Sequence, residues 1–566
     1  MLKYDFKAVL SIMDILAEAC ENYEKAKELS EVTDDPESEP FLSKYKARGL
    51  LEGIRKKIQE RHERNVGHDL MLCKEAAVEY QLGVNHIQTE EISAGQEKLV
   101  RVLNLCHDDI KLESRAVSIV VASLNELGIL WSNREGGIMK AQEYLNKAES
   151  LYHEYKDKYD EAPFNIDEHF SMTPTEEYVR QQGFENLHTL TLFYLAQVYK
   201  SLEKSDLSAS YCVKTLQRQL EFKTYKPLEW AVHCACLSQY YIQRNMFRQA
   251  KHCISCATAV LLEDSSVEEE SEKEEQVRAD VARCWVKYCL NLLDTSKDKI
   301  SPESESPLAE DQDFKDFDRF SLEVTNIEEN TPHDFCTSYD QARKVFLLGK
   351  EHATQALNFF VLDGFVTDHV EIHQDISRLY QYLAFFESNV EMRCRMYKRR
   401  IDLLTPILNE LNKQFYLLIC RQLQFELAET YSEMMDMKIT LGYSDGQPRN
   451  LRKINMLCQS GIRYFKEFLN TLRGPDHTFP ERFEADVERP GLIAHFYIAR
   501  LYSKIIPDNP TDKIANLIQS LENYSFVTKY VHINEEAAAC IMVELDICKD
   551  MVSVLPKTMD RLASEI

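Results

Sequence analysis

LGVNHIQTEEISAGQEKLV, residues 82–100, decides the fold of this 566-residue chain. Leu82 is followed at once by a small residue, Gly83, and three places later by a ring, His86. Gly95, Leu99 and Val102 then follow at the distances a second helix would need. A small residue lets two helices cross closely, and the ring fills the next groove, so the spacing describes a helix pair that buries its apolar face only against neighbouring pairs. The same signature recurs. Leu127-Gly128 with Trp131 precedes Ala141, Leu145 and Ala148, and Leu195-Ala196 with Tyr199 precedes Ala209, Val213 and Leu216, each with one residue inserted. Leu237-Ser238 with Tyr241 precedes Ala250, Ile254 and Ala257 without any. Four recurrences define a tetratricopeptide-like repeat.

Outward from these repeats, helical periodicity runs to both ends, with almost no alternating segments. In the second half, Leu427-Ala428-Tyr431 and Ile498-Ala499-Tyr502 match only the first helix of a pair, which reads as degenerate repeats. The expected architecture is therefore an all-α, right-handed α-solenoid of tetratricopeptide-like helix pairs in two halves, residues 1–297 and 339–566. Between them lies the acidic segment 298–338, whose composition buries too little apolar surface to offset chain entropy and reads as a flexible linker. Stretches 34–40, 157–177, 442–450 and 473–491 read as inter-helix loops. Two of these are long for a helical array, and such loops often carry binding residues.

Composition excludes several function classes. The 93 acidic residues against 67 Lys and Arg give a net charge of −26, which opposes binding to nucleic acid, to anionic membranes and to the acidic outer face of a microtubule. No apolar run approaches the roughly 18–20 residues of a membrane span, so no membrane insertion is expected. The N-terminus interrupts its apolar residues with Lys3, Asp5, Lys7, Asp14 and Glu18 and so reads as an amphipathic helix rather than a signal peptide, which places the protein in the cytoplasm with its 16 cysteines as buried thiols.

Chemical motifs are few. The chain lacks G-x-x-x-x-G-K-[ST], G-x-G-x-x-G and G-x-S-x-G, so phosphate-cradle, dinucleotide and nucleophile-elbow chemistry have no starting point. Cys234, Cys236, Cys253 and Cys256, flanked by His233 and His252, fall inside the best-fitting repeat, where small apolar packing already explains them. His369 and His373 stand one helical turn apart, but the metalloprotease pattern needs its Glu directly after the first His. The basic run Arg393, Arg395, Lys398, Arg399 and Arg400 has the charge to dock an acidic partner, but such a run is more often a solvated face or internal pairing, and it is read as one of these. No enzyme activity, cofactor or metal is expected.

The remaining candidate is the groove lined by the first helices of the pairs. Tyr194 and Gln197 in FYLAQVY, Gln219 in LQRQLEF, and Gln239 and Tyr240 in LSQYY lie off the helix-crossing positions. Buried helix contact competes for Tyr240, whereas Gln is rarely fully buried and is expected to be exposed.

Several segments resemble the KIF-binding protein family, also called kinesin-binding protein: EPFLSKYKARGLLEGI (39–54), LGVNHIQTEEISAGQEKLV (82–100), LGILWSNRE (127–135), FYLAQVYKSLE (193–203), QRQLEFKTYKPLEWA (217–231), ARCWVKYCL (282–290), the stretch 364–400, and MVSVLPKTMDR (551–561). The likeness spans nearly the whole chain, and departures concentrate near 60–70, 157–177 and 298–338. The resemblance implies a non-enzymatic α-solenoid that binds the motor domains of a subset of kinesins and keeps them off microtubules. In that family the concave groove and the inter-helix loops enclose the motor's microtubule-binding surface, and control of axonal and mitochondrial transport follows. An acidic groove would mimic tubulin electrostatically. The candidate partner-binding residues are then Tyr194, Gln197, Gln219 and Gln239 on the groove, Tyr443, Asp445 and Arg449 from the loop at 442–450, and Asp476 and His477 from the loop at 473–491. A monomer that does not itself bind microtubules is expected. A chaperone-linked scaffold gripping acidic C-terminal peptides is the alternative; it needs a basic clamp where these positions supply Gln and Tyr.

Overall fold

The computed structural model describes residues 6–34, 40–62, 68–107, 110–263, 271–300, 319–445 and 451–564. Among them there is no strand, and the fold is all-α. The chain divides into two compact units, Met1–Tyr240 with Asp318–Glu323, and Tyr241–Phe317 with Val324–Ile566.

The first unit holds α1 (Phe6–Glu31), α2 (Leu42–His62), α3 (His68–Gln88), α4 (Ile92–Leu105), α5 (Val117–Ser132), α6 (Ile138–Lys158), α7 (Glu177–Ser201), α8 (Ser205–Glu221) and most of α9 (Pro227–Gln243). Successive helices pack as adjacent pairs. Each residue of the four-fold signature falls on the helix its spacing assigns. Leu82, Leu99, Leu127, Leu145 and Leu195 are fully buried. The glycines are the reason that the pairs close. A Cβ added to Gly128 would stand 2.6 Å from Cγ of Leu145, and one on Gly83 would stand 2.9 Å from Cγ of Leu99. Both fall inside van der Waals contact, so no side chain larger than hydrogen fits without parting the helices. The segment between α6 and α7 contains a 3-10 turn at Ile166–Phe170, whose Phe170 ring stacks 4.5 Å from that of Tyr23 on α1.

The second unit runs through α10 (Phe247–Glu263), α11 (Glu272–Ile300), the short α12 (Thr325–Glu329), α13 (Tyr339–Phe359), α14 (Val366–Phe386), α15 (Val390–Glu410), α16 (Leu417–Asp445), α17 (Leu451–Asn470), α18 (Ala485–Lys504), α19 (Pro510–Ile533) and α20 (Met542–Ser564). The second helices absent from the sequence pattern are present. Gly461 on α17 approaches Ala428 and Tyr431 of α16 within 3.6 Å of its missing Cβ, and Ser520 on α19 donates to the carbonyl of Ala499 on α18 at 2.8 Å. Gly461 escapes the pattern because α16 is 29 residues long, which puts it far beyond the 13-residue step of the first repeat.

Two loop expectations change. Residues 442–445 continue α16, and 485–491 begin α18, which carries Pro490 as its sixth residue, inside the helix, where the missing N–H removes the bond to the Asp486 carbonyl. Of the acidic stretch 298–338, residues 301–318 lie outside the description, while 319–338 are packed. Phe320, Val324 and Cys336 are buried, and the Cys336 N–H donates to Ser296 Oγ at 2.9 Å.

Candidate partner-binding face

The polar groove residues are placed by α7, α8 and α9. Leu195, Val198 and Tyr199 of α7 join Ala141 and Leu145 in a small core, which fixes the rotation of the helix. That rotation leaves Gln197 exposed and Tyr194 half-buried, lying against the same core. The Tyr194 phenol is pushed above its ordinary range by burial and then by the carboxylate of Glu126, so it stays protonated and can donate a hydrogen bond at neutral pH.

One turn before Gln197, the Phe193 ring lies 5.4 Å from that of His233 on α9. Burial lowers the pKa of His233, which keeps its imidazole neutral. Gln219, at the end of α8, shares a cavity of about 320 Å³ with His233, Lys223, Lys226, Glu229 and Trp230. Its side-chain Oε1 is buried without a hydrogen-bond partner among the described residues. A carbonyl oxygen that has left water without a replacement donor is costly, and a donor arriving at the cavity would recover that cost. Gln239 lies farther along α9, half-buried, and donates to Ser238 Oγ at 3.2 Å. Tyr240 donates to Asp206 at 2.9 Å.

The structure therefore brings Gln219 and His233 into one cavity and places Tyr194 and Gln197 on the neighbouring α7. Gln197 has the expected exposure, whereas Gln219 and Gln239 are only partly exposed. Sequence reasoning missed Phe193 and treated His233 only as a flank of the cysteines. The available signal was that both lie off the helix-crossing positions of their repeats.

In the second unit, Asp476 and His477 lie in a tight turn. The Asp476 carboxylate accepts from Thr478 N at 3.1 Å and Thr478 Oγ1 at 2.7 Å, and these bonds hold its pKa below the usual carboxylate range. His477 takes a positive φ of 61°, and its carbonyl accepts from Arg473 at 2.6 Å. Asp476 thus shapes the turn while remaining at the surface. The side chains of Tyr443 and Asp445 and the whole of Arg449 lie outside the described residues.

The other chemical motifs find structural partners. Cys234, Cys253 and Cys256 are buried, and Cys236 is exposed. His252 Nδ1 lies 2.7 Å from Glu328 Oε1. His369 and His373 each direct Nδ1 to a backbone carbonyl, at 2.9 and 2.8 Å. Among the described residues no group of three or more His, Cys, Asp or Glu is placed to hold a metal. Nor is any described helix long and apolar enough to cross a membrane. The basic run on α15 largely pairs internally: Arg395 with Glu391 at 3.3 Å, Lys398 with Asp402 at 2.7 Å, and buried Arg400 with Glu426 at 3.4 Å.

Comparison with known proteins gives a consistent result. The family model described as "KIF-1 binding protein C terminal" matches residues 228–562. The KIF-binding protein of Gallus gallus is 40% identical over 586 residues, covering 97% of this chain and 98% of that protein. The Homo sapiens KIF-binding protein is 38% identical over 616 residues, covering 97% and 99% respectively. The KIFBP core solved by cryo-EM is 36% identical, covers 51% of this chain and 94% of that one, and superposes with a TM-score of 0.36.

Proposed function

Because this chain belongs to the KIF-binding protein family, we propose that it binds the motor domains of a subset of kinesins and blocks their attachment to microtubules by covering the microtubule-binding surface. Family membership over nearly the full length carries the reading. Charge and geometry support it. A kinesin must present basic residues to acidic tubulin, and a chain of net charge −26 attracts that surface while being repelled by the microtubule itself. On the first unit, the exposed Gln197, the Tyr194 hydroxyl and the unspent Gln219 acceptor offer hydrogen bonds that a folded motor helix can complete. The protein acts as a cytoplasmic, monomeric binding partner without catalysis, and it influences axonal and mitochondrial transport through the motors it withholds.

The test is co-sedimentation of a panel of kinesin motor domains with microtubules, with and without this protein. Motors that leave the pellet and co-elute with it support occlusion. If every motor stays bound and none associates, the reading fails and a scaffold for other partners replaces it. Replacing Tyr194 and Gln197 together with Ala, in a protein that still melts cooperatively, tests the face; unchanged motor affinity removes these residues from the site.

A further inference from the structure

The second unit contains a cavity of about 750 Å³ whose chemistry its own fold does not use up. Its floor is one face of α16, where Gln422, Glu426, Glu429 and Glu433 recur at helical spacing. Arg400 of α15 reaches in from behind and is only 4% exposed. It donates to Ser377 at 3.0 Å and to Glu426 at 3.4 Å. The gap from its Nη1 to Glu433 is 3.6 Å, too long for a hydrogen bond, and among the described residues both that nitrogen and Glu433 Oε2 are buried without one, although Tyr397 hydrogen-bonds the Glu433 carboxylate. Two further guanidinium groups line the cavity, but Arg378 is paired with Asp375 and Arg421 donates to Thr471 Oγ1 at 2.9 Å and to its carbonyl at 2.8 Å, so Arg400 is the one left to face three carboxylates. Glu426 is further satisfied by Ser377 at 2.5 Å and by Gln374 at 3.2 Å, whereas Glu429 has neither a hydrogen bond nor an ion pair among the described residues.

The walls differ in kind. Phe425, Phe468, Val487 and Pro490 form an apolar side, Gln374, Gln381 and Asp486 a polar one, and Leu418 at the lip is 63% exposed. An apolar side of the wall beside a carboxylate that lacks a direct partner matches a side chain with an aliphatic stem and a cationic head, which buries its methylenes while its charge seeks a counter-ion.

We propose that this cavity is a docking pocket for an arginine or lysine side chain presented by a partner protein, with Glu429 as its counter-ion and Leu418 and Phe425 holding its stem. The proposal rests on the kinesin reading only for which partner presents the side chain.

The groups facing Glu429 are Arg421, Glu426 and Glu433 on its own helix, Arg378 of α14, Arg400 of α15, and Asp486, Arg489 and Tyr497 of α18; Phe468 is the α17 contribution. Burial, then Glu433, raise the Glu429 pKa to about 7, with Arg400 and Arg489 opposing. An arriving cation must therefore displace a proton over much of the physiological range, so occupancy rises with pH up to about 7 and levels off above it.

The probe is N-acetyl-arginine methylamide, with its neutral citrulline counterpart, titrated against the full chain by saturation-transfer NMR. The arginine probe is expected to bind the wild type at least fivefold more tightly than Glu429→Gln, and more tightly at pH 7.5 than at pH 6. The citrulline probe should not distinguish the two proteins. Equal affinity of the two probes, or unchanged arginine binding by Glu429→Gln, overturns the proposal. Glu429→Gln removes a poorly solvated charge and keeps the shape, so its thermal midpoint should be no lower than that of the wild type, and Leu418→Ser at the exposed lip gives a second variant with weakened arginine binding. No kinesin is present in this assay, so its failure and the failure of motor binding are read separately.

Discussion

Gly95→Ala should loosen the first unit, although alanine is the better helix former. In the pair α3 and α4 the added Cβ would stand 2.7 Å from Ile87 Cγ1, 2.9 Å from the Gly83 carbonyl oxygen and 3.2 Å from the Ile87 nitrogen. Two of these three are backbone atoms, which cannot rotate away, so the helices must separate by several tenths of an ångström around the buried Leu82 and Leu99. Overpacking of this kind costs about 1–3 kcal/mol, and the helix propensity of alanine returns about 1 kcal/mol. The net expectation is a loss of up to about 2 kcal/mol. Gly53→Ala on α2 is the matched comparison. That residue is exposed, with nothing within 4 Å of its Cβ position, so the same substitution should stabilise by about 1 kcal/mol. Urea unfolding followed by far-ultraviolet circular dichroism gives the sign. Hydrogen exchange read by mass spectrometry on peptides from α3 and α4 should speed up by about tenfold for each 1.4 kcal/mol lost. If Gly95→Ala protects those peptides as Gly53→Ala protects α2, close approach is not what the small residue of the repeat provides.

Gln197→Arg, at an exposed position, should leave the thermal midpoint unchanged and weaken motor binding about tenfold or more by setting a cation against a basic surface, measured by biolayer interferometry. Arg400→Ala should cost about 3 kcal/mol in a urea titration, because Glu426 would keep a largely buried charge without its cation. His495 has its pKa lowered to about 4 by burial, and its ring stacks on that of Phe526 at 3.9 Å. The unfolded chain therefore binds a proton that the folded one refuses. This contribution, about 3 kcal/mol, is complete above pH 6.5 and is lost as pH falls from 6.5 towards 4. His495→Gln should flatten that part of the acid unfolding curve of the second unit.

The repeats of the first half are legible because packing imposes a local code: a glycine where helices touch, a leucine beside it and a ring one turn on. Each of those requirements reads out within about 20 residues. The second half satisfies the same contacts with longer helices, so Gly461 meets Ala428 from a distance that no fixed period reveals. Charge misled in the middle. Phe320, Val324 and Cys336 are sparse among acidic neighbours, yet each is buried. The exposure of Gln197 followed from helix register alone. The pairing of Phe193 with His233, and the crowding of Glu426, Glu429 and Glu433 around Arg400, join residues from different helices, and only the fold brings them together.

The first unit is discontinuous in the chain, and this has a consequence for how it is made. Trp230 donates its indole N–H to the Leu216 carbonyl at 3.1 Å and receives the edge of Phe320 at 5.5 Å, both rings being almost wholly buried. On the ribosome, α9 is complete well before Phe320 exists. At about 5–20 residues per second, the Trp230 face waits several seconds for its cover. During that interval the nascent chain presents a tryptophan face without its Phe320 cover, a natural point of engagement for chaperones. A fragment ending anywhere between Tyr240 and Phe317 would make that transient exposure permanent.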